Sequence, residues 1–131
     1  MNYQIHDVSC FPLISLRSEV CTPGFSEAWC QEMDQLVGAT DPFVIAFDPS
    51  TIEETPEDYR VRAMWFKANR QLLQGRCAAM AVIVPSSSQR EAMKADLGKR
   101  TRGFGVPYLA VASWTEIQEQ TPELVEACNV S

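Results

Sequence analysis

The side chains best placed to do chemistry lie where apolar runs give way to polar ones. Ser86, Ser87 and Ser88 follow the run Met80 to Val84 and precede Arg90. A helix N-terminus there would turn exposed amides toward an anion, with the guanidinium adding charge. The glycines of a phosphate-binding loop are missing, so plain helix capping is the simpler account of the serines. Asp48-Pro49-Ser50-Thr51 holds the matching place after the run Phe43 to Phe47. Glu53, Glu54, Glu57 and Asp58 supply the carboxylates that acid–base work or a hard cation needs, but acids also gather at the positive end of a helix without any chemistry. Nucleophilic catalysis needs a base beside a serine or thiol, and His6 is the sole histidine. No catalytic group and no cofactor is therefore expected.

Charge is unevenly spread along the chain. Residues 60 to 102 hold Arg60, Arg62, Lys67, Arg70, Arg76, Arg90, Lys94, Lys99, Arg100 and Arg102 against Glu91 and Asp96, a net of +8, whereas the whole chain is −6. If the helices of this segment share a face, Arg90, Lys99, Arg100 and Arg102 form a basic patch for phosphate or an acidic protein surface. The bland account is a solvated helical surface neutralising the acidic remainder. The acidic total and the lack of aromatic residues interleaved with bases argue against nucleic acid.

Composition sets further bounds. A chain of 131 residues, 46% apolar and 21% charged, has the makings of one folded domain spanning 1–131. Its longest apolar stretch, near Cys77 to Pro85, is far short of the roughly 20 residues that cross a bilayer. The N-terminus lacks the basic and apolar regions of a secretory signal, so a cytoplasmic location is expected. Cys10, Cys21, Cys30, Cys77 and Cys128 are scattered and form no C-x-x-C pair; they read as reduced core residues, with neither disulfides nor a metal site.

The elements that must position these groups follow from periodicity. Tyr3 to Val8 and Leu13 to Leu16 suit an antiparallel hairpin. Thr22 and Pro23 cap a helix carrying Phe25, Trp29, Met33, Leu36 and Val37 to Gly38. Phe43 to Phe47 and Met80 to Val84 are continuous apolar runs, the mark of central parallel strands. Between them, Thr55-Pro56-Glu57-Asp58 opens a helix with Val61, Met64, Trp65, Ala68 and Leu72 inward, ending at Gly75. A helix after the serines carries Ala92, Met93 and Leu97 and stops at Gly98. A cationic loop, Lys99 to Gly105, with a turn at Gly103-Phe104-Gly105, leads to a strand over Val106 to Ala112, where Pro107 fits an edge or a strand start. Ser113 and Glu116 form a capping box for a last helix that Pro122 interrupts. The order β-β-α-β-α-β-α-β-α predicts an α/β domain: a small mixed sheet, antiparallel in its first hairpin and parallel thereafter, covered by helices.

This order, with Phe43-Val44-Ile45-Ala46-Phe47-Asp48, the helix Arg62-x-x-Trp65-Phe66-Lys67-x-x-Arg70 and the strand Ala79 to Pro85, resembles the STAS-like domains, among them anti-sigma-factor antagonists and SEC14-related bacterial proteins. The resemblance implies a regulatory protein-binding module. In the antagonists a phosphorylatable serine lies in an Asp-Ser-Ser-Gly-like motif after a central strand; here that place reads Asp48-Pro49-Ser50-Thr51, a departure that argues against a phospho-switch.

The expectation is a non-enzymatic interaction or regulatory module whose partner is another protein, a class that includes inhibitor and immunity-type proteins acting through Glu53 to Asp58. The alternative is a carrier of an apolar or anionic small molecule, with Trp29, Trp65, Trp114, Met33, Met64, Met80 and Met93 lining its pocket. A homodimer stays open. Ser86, Ser87, Ser88, Arg90, Lys99, Arg100, Arg102, Asp48 and Ser50 are the candidate contact residues.

Overall fold

The computed structural model describes residues 3–39 and 41–129. The chain runs β1 (His6–Asp7), β2 (Leu13–Leu16), α1 (Ser26–Ala39), β3 (Phe43–Phe47), α2 (Pro56–Ala68), α3 (Arg70–Leu73), β4 (Cys77–Ile83), α4 (Ser87–Phe104), β5 (Tyr108–Val111) and α5 (Trp114–Asn129). The five strands form one sheet in the order β1-β2-β3-β4-β5. β1 is antiparallel to β2, and every later pair is parallel. The mixed sheet expected from the pattern is the one observed.

Strand order dictates the layers. Each crossover from β2 onward advances one place in the same direction, so crossovers of one hand must deposit their helices on one face. Accordingly Trp29 and Met33 of α1, Trp65 and Phe66 of α2, and Leu97 and Phe104 of α4 share a core with Ile14, Phe43, Ile45, Met80, Val82 and Tyr108. The opposite face, with Leu13, Val44, Ala46, Ala79, Ala81 and Val111, is covered by α5 through Ile117. On this second face β4 offers Ala79 and Ala81 before Ile83 at its end, a mostly low surface on which a single helix can lie close.

The first core is aromatic. Trp29 meets Trp65 edge-on at 5.4 Å, and Phe66 stacks on Phe104 at 4.9 Å. The buried Arg62 guanidinium lies 5.1 Å from the Trp29 ring centre, and its Nε is 2.8 Å from Glu54 Oε2. Asp58 ties two helix starts together: its carboxylate accepts from Gly24 N (3.0 Å), Ser26 N (3.3 Å), Ser26 Oγ (2.7 Å) and Thr55 Oγ1 (3.0 Å). Burial raises its pKa, but these hydrogen bonds outweigh burial and hold it far below the usual range.

Several boundaries differ from the sequence reading. α1 begins at Ser26, not at Pro23, because Gly24 (φ +96°) turns the chain before Asp58 collects the first free amides. The strand expected over Tyr3 to Val8 is only His6–Asp7. The helix expected to run to Gly75 breaks at Asn69 and resumes as α3, and Met64, Ala68 and Leu72, expected inward, are exposed. α4 does not stop at Gly98: it continues through Gly103 to Phe104 and ends at Gly105, whose left-handed φ of +75° closes it. Burial of Leu97 and Phe104 on one stripe repays the low propensity of the two internal glycines. Lys99, Arg100 and Arg102 are therefore helical, not in a loop. Pro122 sits inside α5 without ending it. Glu116 closes its cap on Ala112 N (2.6 Å) instead of on Ser113, while Ser113 Oγ accepts from Glu116 N at 3.2 Å.

The β1 edge is closed by side chains. Glu32 of α1 accepts from the backbone amides of Gln4 (2.8 Å), Ile5 (3.0 Å) and His6 (2.9 Å), and from His6 Nδ1 (2.9 Å). Arg17 Nη1 donates to the carbonyls of Tyr3 (2.6 Å) and His6 (2.9 Å). Burial pushes the Glu32 carboxyl up, but the His6 ring and the three amides outweigh it and hold the pKa at about 2. Burial lowers the pKa of His6 despite Glu32, which leaves the imidazole neutral with Nδ1–H donating.

A carboxylate whose folded pKa is depressed stabilises the fold above its unfolded pKa, and that stability is lost as pH falls through the folded value. Glu32→Gln should cost about 3 kcal/mol at pH 7. In urea titrations the gap to wild type should close as pH falls from about 4.5, the free-carboxylate value, to about 2. A gap independent of pH would contradict this.

Candidate groove along the open sheet edge

The far edge of the sheet is β5, and its outward backbone groups follow from register. Met80 N donates to Pro107 O and Val84 N to Val111 O, so in the parallel ladder Leu109 and Val111 turn their amides and carbonyls toward β4. Tyr108, Ala110 and Ala112 turn theirs outward. Tyr108 N is taken by Thr101 Oγ1 (2.9 Å) and Ala112 N by Glu116 Oε2 (2.6 Å). Among the described residues, this leaves Tyr108 C=O and both main-chain groups of Ala110 without a partner in the chain.

These groups form the floor of a groove of about 580 Å³. One wall is a stripe of α4, with Ser87, Arg90, Glu91, Lys94 and Gly98 at helical spacing, and Gln120 of α5 contributes on the other side. α5 lies chiefly over β3 and β4, so Leu109 is left half-buried at the mouth.

The sequence-predicted contact residues divide among several places. Ser87 and Arg90 line the groove. Ser86 is the N-cap of α4, accepting from Gln89 N at 3.3 Å and lying 3.0 Å from Ser88 Oγ. Arg90 Nη1 donates to the carbonyls of Val84 and Pro85, both at 2.8 Å, which fixes its stem at the groove mouth. Asp48 and Ser50 form a self-contained turn: Ser50 N and Oγ donate to Asp48 Oδ1 at 2.9 and 2.6 Å. Lys99, Arg100 and Arg102 belong to the other end of α4; fifteen residues of helix put Arg102 about 22 Å from Ser87. The unreversed order of β2 to β5 also gives no switch point of the kind at which open α/β sheets form a ligand crevice.

The +8 segment is not one free basic face. α2 and α4 do lie in one layer, but Arg60 pairs with Glu57 (Nε–Oε2, 2.9 Å), Arg62 with Glu54, Lys94 with Glu91 (2.8 Å) and Arg100 with Asp96 (3.2 Å). Arg70 Nη1 donates to the carbonyls of Arg102 and Gly103 at 2.7 and 2.8 Å. Exposed Lys67, Lys99 and Arg102 are left for solvent. The acidic run is also occupied, with Glu54, Glu57 and Asp58 bound within the chain.

For catalysis the arrangement offers little. His6 is fully buried, so its imidazole meets no substrate. All five cysteines are free thiols. Burial raises Cys21 and Cys30 to about 11 and Cys77 to about 12, which keeps these thiols protonated and poorly nucleophilic. Among the described residues no group of three or more His, Cys, Asp or Glu side chains is arranged to hold a metal ion, and no helix is long and apolar enough to cross a membrane. Trp29, Met33 and Met80 are buried core, Met64 is exposed and Trp114 packs on the α5 face, so these side chains line no common pocket.

Sequence reasoning took Pro107 as the sign of an edge or of a strand start; Pro107 lies just before β5, β5 is also an edge, and its open centre was missed. Thr101 and Glu116 take the flanking amides, and only the spacing of Pro107 and the Ser113 cap hinted at where these residues lie. Comparisons with known protein families, with curated proteins and with solved structures return no match for this chain.

The register predicts an amide-exchange pattern. In nuclear magnetic resonance exchange measurements Leu109 and Val111 amides should be protected and Ala110 should exchange at least 100-fold faster. Thr101→Val should release the Tyr108 amide into the fast group. Equal protection of Ala110 and Leu109 would show that the edge is closed.

Proposed function

We propose that this chain is a non-enzymatic recognition module that binds another protein in the groove along β5. One observation carries the reading: the β1 edge is covered by Glu32 and Arg17, whereas the β5 edge keeps its central main-chain groups open in a groove with a partly basic wall. Unpaired sheet edges invite foreign strands and proteins commonly cover them. A regulatory role of the kind that a STAS-like resemblance implies is compatible with this placement and belongs to the same proposal.

The test is capture from native lysate on wild type and on an Arg90→Glu/Lys94→Glu variant, at low and high salt. A partner retained by wild type, reduced at least tenfold by the variant and weakened by salt supports the reading. Capture that is indifferent to both changes overturns it.

A second reading rests on a separate cavity of about 510 Å³ beneath the end of α5, lined by Gly75, Cys77, Ala78, Pro107, Leu124 and Cys128 among others. Its apolar walls would suit a small apolar molecule. Native mass spectrometry of the purified chain should then show a bound mass that Leu124→Trp, which fills the cavity, removes.

A further inference from the structure

Resting on the β5 groove as the binding site, we infer that its occupant is an extended segment of another protein that adds to the sheet as a sixth strand, carrying acidic side chains toward α4 and apolar ones toward α5. The backbone sets the mode. Ala110 presents N–H and C=O on the same outward side, and Tyr108 C=O lies beside them. An extended chain laid alongside would satisfy all three groups. Thr101 and Glu116 take the flanking amides, so they frame the opening to about 13 Å from Tyr108 to Ala112.

Side-chain chemistry on the two sides sets the partner. A strand alternates faces, and the two faces here differ. Toward α4 the small Ala110 side chain leaves room beneath Arg90 and Lys94, and Glu91, bound to Lys94 at 2.8 Å, is the acid on that wall. An entering carboxylate meets one more cation than anion there. Toward α5, half-buried Leu109 and the packed Trp114 offer apolar surface, while Glu116 and Gln120 disfavour an acid. Residues alternating acidic and apolar fit both sides at once.

Charge also argues against a second copy of this chain as the occupant. Two β5 edges paired antiparallel about a two-fold would set α5 beside α5. That helix carries Glu116, Glu119, Glu123 and Glu126 and no basic residue, so like charges would meet across the seam.

The experiment selects a displayed library of random linear eight-residue peptides on the full chain, then measures the enriched peptides by fluorescence anisotropy and amide exchange. Enriched peptides should alternate acidic and apolar residues, and binding should slow exchange of the Ala110 amide at least tenfold. Ala110→Pro removes the outward donor and no bond of the sheet, a change that edge strands tolerate, so it should weaken binding at least tenfold while the chain stays folded; Lys94→Glu should remove the acidic preference. Peptides that bind without protecting Ala110, or that bind Ala110→Pro equally, would overturn strand addition while leaving a groove-dependent lysate partner, and with it the recognition reading, intact. A library yielding no acidic–apolar alternation would overturn the proposed partner chemistry, as would a concentration-dependent dimer in sedimentation that Ala110→Pro abolishes.

Discussion

The order of the strands governs what the rest of this molecule can be. Because β2 to β5 follow one another across the sheet without reversal, three crossover helices of one hand have to crowd a single face. The other face is left to whatever the chain supplies last, which is α5. Both the large aromatic core and the low alanine surface of β4 answer to that division. The same constraint removes the switch point at which open α/β sheets usually hold ligands, and it leaves the last strand as an edge.

A sheet with two ends has to manage both of them. At β1 the solution is polar and buried: a helix glutamate gathers three amides and a neutral imidazole, and an arginine gathers the carbonyls. This couples the first strand to α1 strongly enough to hold the carboxyl near pKa 2. At β5 the management is partial, with a threonine hydroxyl and a glutamate taking the outer amides and the centre left open. The asymmetry between two edges of one sheet gives the functional reading its physical content.

Charge that looks segregated along the chain is largely spent inside the fold. Asp58 binds two helix starts, Arg62 lies over Trp29 and pairs with Glu54, and Arg70 closes the end of α4. Counting charges by segment overstated the free basic surface, because a linear count cannot see which opposite charges the topology brings together. Lys67, Lys99 and Arg102 are left for solvent, while Arg90 and Lys94 beside β5 are bonded within the chain.

From the sequence by itself came the α/β class, the mixed sheet, the two central strands with their unbroken apolar runs, and the start of β5 just after Pro107. These are properties of local periodicity and backbone restriction, legible without knowing any distant contact. Tertiary structure alone decided that α4 runs through Gly98 and Gly103, since burial of Leu97 and Phe104 against the aromatic core outweighs local propensity. It also decided that Ser87 and Arg90 share a groove while Lys99 and Arg102 lie elsewhere, and that Ala110 faces outward. Register, and the reach of Thr101 and Glu116 to the flanking amides, are relations between elements, and no window of sequence contains both partners' positions in space.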